Sequence, residues 1–148
     1  MKAVFAIGLA LAAASSRTEA APPSRCACKV DATRAGDGTL VIAIRPDRGW
    51  HTYALRPGAA GLPPRVTFDG QPTPQPLRMP KPEKITSEGI TSWGYRRVAT
   101  IETALPTTAR IAELSWLMCD GRRCVPQRTV LQIAALPLAP GPARALGR

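Results

Sequence analysis

Cys119 and Cys124 stand in the stretch "LSWLMCDGRRCVPQ" with four residues between them, Arg122 and Arg123 inside that interval and Arg128 just beyond it. A thiol pair so placed has three chemical uses: a structural disulfide, two soft ligands for a metal, or a dithiol that exchanges with other disulfides. Bridging such a short loop removes little entropy from the unfolded chain, about 2 kcal/mol by the loop-closure relation. A staple would gain more by joining distant strands, which tilts the reading towards chemistry. Arginines favour a thiolate, which is both the attacking species and the better leaving group in exchange. Asp120 opposes them.

The soft-ligand inventory for the metal reading is Cys119, Cys124, Met118, Met79, the single His51 and the Cys26/Cys28 pair, a set that suits Cu(I). No repeated Cys/His spacing of a zinc site occurs, so no metal and no cofactor is expected. A copper(I)-handling module therefore remains the first alternative, and a docking domain with an inert bridge the second. Cys26 and Cys28 lie too close in sequence to bridge without strain, so a bond between them would be easily reduced. Otherwise they would pair elsewhere, bind metal or resolve a mixed disulfide.

The redox reading needs an oxidising compartment. "MKAVFAIGLALAAASS" carries Lys2, then an apolar run too short to span a bilayer, then small residues, and reads as a secretory signal over residues 1–20 cut near Ala20. Arg25 and Ser24 exclude a lipid-attachment pattern before Cys26. The expected location is the periplasm, with no membrane span once the signal is removed. The chain of 148 residues carries a formal charge of +10. Its arginines are scattered and form no basic helix, which argues against nucleic acid as a partner.

Sixteen prolines and twelve glycines cut the chain into short pieces, and no window keeps helical spacing for three turns. Strands are predicted over 39–45, 50–55, 65–69, 96–103, 111–118 and 128–135. In the fifth, Ala112, Leu114, Trp116 and Met118 share one face and Glu113 and Ser115 the other, placing Cys119 at the strand's end. An all-β fold, an immunoglobulin-like β-sandwich, follows. Residues 56–65 read as a Pro/Gly crossover and 69–95 as a loop too long for a hairpin, hence a functional cover. The expected organisation is an N-terminal segment with the cysteine pair over 21–37, one domain over 38–136 and a flexible tail over 137–148.

"GWHTYALRPGAAGLPPRVTF" (49–68), "ITSEGITSWGYRRVATIE" (85–102) and "LSWLMCDGRRCVP" (114–126), in this order, together resemble the N-terminal periplasmic domain of the DsbD thiol:disulfide interchange proteins. The related domain of copper-sensitivity suppressor proteins is similar too. The resemblance implies an immunoglobulin fold with one redox pair, Cys119 and Cys124, at the tip of a β-hairpin. It makes Cys124 the exchanging sulfur and Cys119 the resolving one; Arg122, Arg123 and Arg128 are, from their charge, the expected thiolate-stabilising residues. It implies a cap over Ser87 to Tyr95 with Trp93 as the shield, and ring-bearing residues His51 and Tyr53 beside the sulfurs. Glu88 is the one acid near the cap aromatic. Implied partners are thioredoxin-like or membrane-embedded thiol-disulfide proteins that supply electrons, and periplasmic disulfide proteins that receive them. The chain is expected to act as a monomer and to draw its electrons from a separate polypeptide, since no apolar spans follow Arg128.

Overall fold

The computed structural model describes residues 27–140; the expected signal segment, Cys26 and residues 141–148 lie outside them. Ten strands form two sheets: β1 (Cys28–Arg34), β2 (Thr39–Pro46), β3 (His51–Gly58), β4 (Arg65–Phe68), β5 (Gln71–Pro72), β6 (Glu83–Ser87), β7 (Ile90–Tyr95), β8 (Ala99–Ala104), β9 (Ile111–Cys119) and β10 (Cys124–Gln132). A three-stranded sheet runs β1-β2-β8, and a seven-stranded sheet runs β5-β4-β9-β3-β7-β6 with β10 on the other edge of β9. The two pack face to face as the predicted immunoglobulin-like sandwich. Among the described residues no helix is long and apolar enough to cross a membrane.

Strand alternation builds the core. Leu40, Ile42 and Ile44 of β2 and Ala99 and Ile101 of β8, all without exposed surface, meet Ala112, Leu114, Trp116 and Met118 of β9. That is the inward face predicted for the fifth strand. The same alternation sends Leu117 and Cys119 to the outer face of the large sheet, where they bury with Tyr53 as a separate cluster. β9 holds three partners: β10 along one edge, and on the other β4 beside 112–115 and β3 beside 118–119. At that split the Thr52 hydroxyl donates to the Leu117 carbonyl at 2.9 Å.

Four sequence expectations are corrected. The 69–95 segment is not one loop: it contains β5 and a β6–β7 hairpin with Ser87 opposite Ile90. Its two-residue turn puts Glu88 at φ 48° and Gly89 at φ 78°, the left-handed pair of a type I′ turn. β10 begins at Cys124 rather than 128 and gives way to a short 3-10 turn over Ile133–Ala135. Pro126 is tolerated inside β10 because that strand has β9 on one side only, so its missing N–H is not needed. Cys28–Arg34, assigned to an N-terminal segment, instead pairs with β2 from Cys28 opposite Pro46 to Arg34 opposite Leu40. On the far edge Arg34 exchanges backbone bonds with Pro137 and Ala139 at 3.0 and 2.8 Å, so the segment read as a tail starts out paired with β1.

Candidate redox site

Cys119 and Cys124 are register partners across β9 and β10 and are joined by a disulfide, with Cα atoms 4.1 Å apart. The intervening turn is organised by Asp120. Its Oδ1 accepts from the Arg122 and Arg123 backbone N–H groups at 3.0 Å each, and its Oδ2 accepts from Arg123 Nε at 3.2 Å. Those two backbone donors, the Arg122 one foremost, hold the Asp120 carboxyl below the usual carboxylate range, with the Arg123 side chain adding to them. Gly121 takes φ 90°, a conformation that glycine adopts without steric cost. The Arg123 guanidinium lies over the Trp50 ring, 5.3 Å from its centroid. The turn is thus held internally by Asp120 and tied to Trp50 through Arg123.

The two sulfurs have unlike surroundings. Cys119 is 2% exposed, packed with Tyr53 and Leu117, whereas Cys124 is exposed. Both line a cleft of about 200 Å³ together with His51, Tyr53, Arg122, Arg123 and Glu88. His51 is the register partner of Cys119 on β3, so His51, Cys119 and Cys124 form one row across three strands. Its Nε2 lies 3.3 Å from Tyr53 Oη, with the rings edge to face at 83°. Burial, and next the charge of Arg96, lower the His51 pKa from 6.5, against the opposing charges of Asp120 and Glu83. Burial raises the Tyr53 and Tyr95 hydroxyls above 10.0.

The cap is a hairpin whose tip touches the redox turn: the Ser87 hydroxyl donates to the Gly121 carbonyl at 3.2 Å. Because it is a hairpin, residue parity decides what it presents to the cleft. Ile90 and Ser92 line the cleft with Ser87 and Glu88. Trp93 and Tyr95 have the opposite parity. Trp93 is 42% exposed beside Gly58, and Tyr95 packs in the main core with its hydroxyl donating to Pro80 O at 2.6 Å. Neither covers the disulfide in this structure; Ile90, Ser92 and the Glu88 turn stand where Trp93 was expected.

Of the three arginines, Arg122 and Arg123 reach the cleft and Arg128 does not. Arg128 is ion-paired with Glu113 and stands four residues along β10 from Cys124, about 13 Å at the usual strand rise. The copper alternative fares differently for each donor. Met118 points into the core without exposed surface, and Met79 packs against that core beside Arg78 and Pro80. Among the described residues, no three His, Cys, Asp or Glu side chains gather as a metal site. Cys28 is disulfide-bonded, and Cys26 lies outside the described residues.

Several site residues escaped sequence reasoning. Ser87 was placed only as the first residue of the implied cap and Ser92 only inside it, with no role for either hydroxyl. Trp50 was detectable only as an aromatic next to His51. Gly61 was hidden in the crossover: with φ 95°, a Cβ there would lie 2.3 Å from the Tyr53 ring, so only a glycine leaves room for that ring.

Solved structures share this fold. The N-terminal periplasmic domain of ScsB from Proteus mirabilis superposes with a TM-score of 0.58 at 20% identity, covering 80% of this chain and 51% of that one. The chain thus spans about half of that structure. The reduced N-terminal domain of Neisseria meningitidis DsbD superposes with a TM-score of 0.53 at 17% identity, covering 76% of this chain and 88% of that one. At such identities the likeness is one of fold. No curated protein sequence matches significantly. Residues 18–135 match the family described as "Thiol:disulfide interchange protein DsbD, N-terminal", a span that holds both strands of the redox hairpin. The chain belongs to that family of thiol-disulfide exchange domains.

Proposed function

We propose that this protein is a periplasmic thiol-disulfide carrier, acting as a monomer, that passes electrons from a thioredoxin-like or membrane-embedded reductant to periplasmic disulfide proteins. The observation that carries this reading is the unlike exposure of two bonded cysteines: Cys124 open to a partner, Cys119 enclosed beside it. An open sulfur bonded to an enclosed one suits a carrier, which offers one sulfur to a partner and keeps the other to resolve the mixed disulfide.

In the reduced protein the Cys124 thiolate attacks a partner's disulfide, forming a mixed disulfide and releasing one partner thiolate. Cys119 then attacks Cys124 Sγ: the bond between the cysteines forms, the bond to the partner breaks, and the second partner sulfur leaves as a thiolate. Two thiols of the carrier are oxidised and one partner disulfide is reduced. Reduction of the carrier runs the same steps in reverse. Arg122 at the open end of the cleft favours the Cys124 thiolate, since Asp120 already engages Arg123. The Ser87–Gly121 contact keeps the hairpin tip over the turn until docking displaces it. Cys124→Ser should abolish transfer to a periplasmic disulfide substrate, whereas undiminished transfer by that variant refutes the assignment.

A further inference from the structure

Resolution of the mixed disulfide poses a difficulty that the exchanging cysteine does not meet. Cys119 is 2% exposed and packed with Tyr53 and Leu117, and a thiol in apolar surroundings ionises reluctantly. Arg122 lines the cleft with the exposed Cys124, while Asp120, next in sequence to Cys119, is held ionised and disfavours a second negative charge. Bulk water is a poor proton acceptor for so enclosed a group. A base inside the cleft would remove the difficulty.

His51 is the side chain placed for it. It is the register partner of Cys119, and directly opposite residues of an antiparallel pair project from the same face about 5 Å apart. It lines the same cleft, is 7% exposed, and has Nε2 engaged by Tyr53 Oη at 3.3 Å, which leaves Nδ1 for the thiol. We infer that His51 is the general base of the resolving step, taking the proton of Cys119 as its sulfur attacks Cys124. The inference rests on the carrier reading above. Proton and electrons balance: Cys119 S–H gives its proton to the imidazole, the new S–S bond takes the thiolate pair, and the departing partner thiolate is protonated by the imidazolium or by water.

The groups around His51 set its working range. Tyr53 shares its strand and Cys119 and Asp120 lie on and beyond β9. Glu83 begins β6, Arg96 follows β7, and Glu88, Arg122, Arg123 and Cys124 line the open side. Arg96 and Glu83 pair at 3.4 Å, and the lowering by Arg96 outweighs the opposing charge of Glu83. Burial is the foremost influence, and it keeps the imidazole neutral at and above pH 6.5, with one ring nitrogen open as an acceptor for the proton that Cys119 releases.

The test uses the full chain with Cys26→Ser and Cys28→Ser, reduced and mixed with dithiodipyridine. Each attack releases a coloured thiopyridone, first from Cys124 and then as Cys119 resolves. His51→Asn should leave the first phase unchanged, slow the second about 100-fold, and abolish the inflection of the second phase below pH 6.5. As the only histidine, His51 can also be titrated directly by NMR without any substitution at the site. Its pKa should differ between oxidised and reduced protein. A second phase of unaltered rate and pH profile in His51→Asn, with an imidazole titration indifferent to redox state, overturns the base assignment alone. Absence of a fast second phase in the parent protein overturns the carrier reading along with it.

Discussion

Cys119 and Cys124 are register partners on adjacent strands and are bonded to each other, yet one is 2% exposed and the other open to solvent. The asymmetry follows from the end of the β9–β10 hairpin. Cys119 has strands on both sides, β3 and β10, while Cys124 sits on an outer strand with only β9 beside it. Under the proposed function, attack from outside is directed to Cys124.

That direction can be read from trapped intermediates. Cys119→Ser should accumulate a mixed disulfide through Cys124 when reduced protein meets an oxidised partner, because nothing remains to resolve it. Cys124→Ser should accumulate none. Non-reducing electrophoresis with mass mapping of the linked peptide distinguishes them, and equal trapping by both variants would remove the distinction between the two sulfurs.

Ser87→Ala deletes the hydrogen bond from the hairpin tip to Gly121. A neutral hydrogen bond contributes about 1 kcal/mol, so alkylation of reduced Cys124 should quicken by roughly fivefold with little change in global stability. Rates equal to the parent would mean that the tip does not restrain access.

Gly94 packs where β7 passes β3, and a Cβ there would fall 2.1 Å from the Thr52 carbonyl oxygen. The obstacle is backbone and cannot swing aside. Gly94→Ala should cost about 3 kcal/mol in denaturant unfolding, at the upper end for overpacking, and should loosen the cap hairpin. A loss below about 0.5 kcal/mol would show that β7 can move away freely.

The oxidised protein should lose stability in acid through His51. Its folded pKa lies below the ordinary 6.5, so the unfolded chain binds more protons in the window between the two values. The contribution of the neutral imidazole is present in full above 6.5 and falls as pH drops through 6.5 towards the folded value. Midpoints of urea unfolding compared above and below that window should show the decline in the parent and not in His51→Gln.

The inward face of β9 was legible because Ala112, Leu114, Trp116 and Met118 alternate with polar residues until Leu117, which placed Cys119 at the strand's end; that Cys119 buries with Leu117 and Tyr53 on the outer face was not. The cap hairpin was not. Prolines through 72–82 suggest a loop, and its Glu88-Gly89 turn lacks the Asn-Gly or Asp-Gly pair that marks such turns. Once the hairpin is known, parity moves Trp93 away from the cleft and brings in Ile90 and Ser92. Arg128 illustrates a different limit. Proximity in sequence to Cys124 suggested an electrostatic role, but an extended strand carries it beyond the range of effective interaction and next to Glu113. The tie between His51 and Cys119 depends on pairing between strands distant in sequence, which no local pattern encodes.

The central claim is that the Cys119–Cys124 bond is made and broken in function, and its reduction potential tests this most directly. Protein with Cys26→Ser and Cys28→Ser would be equilibrated in glutathione buffers and the oxidised fraction measured by alkylation. A potential between about −180 and −270 mV is the expected result, whereas a value well below about −300 mV would mark a structural bond and contradict the account.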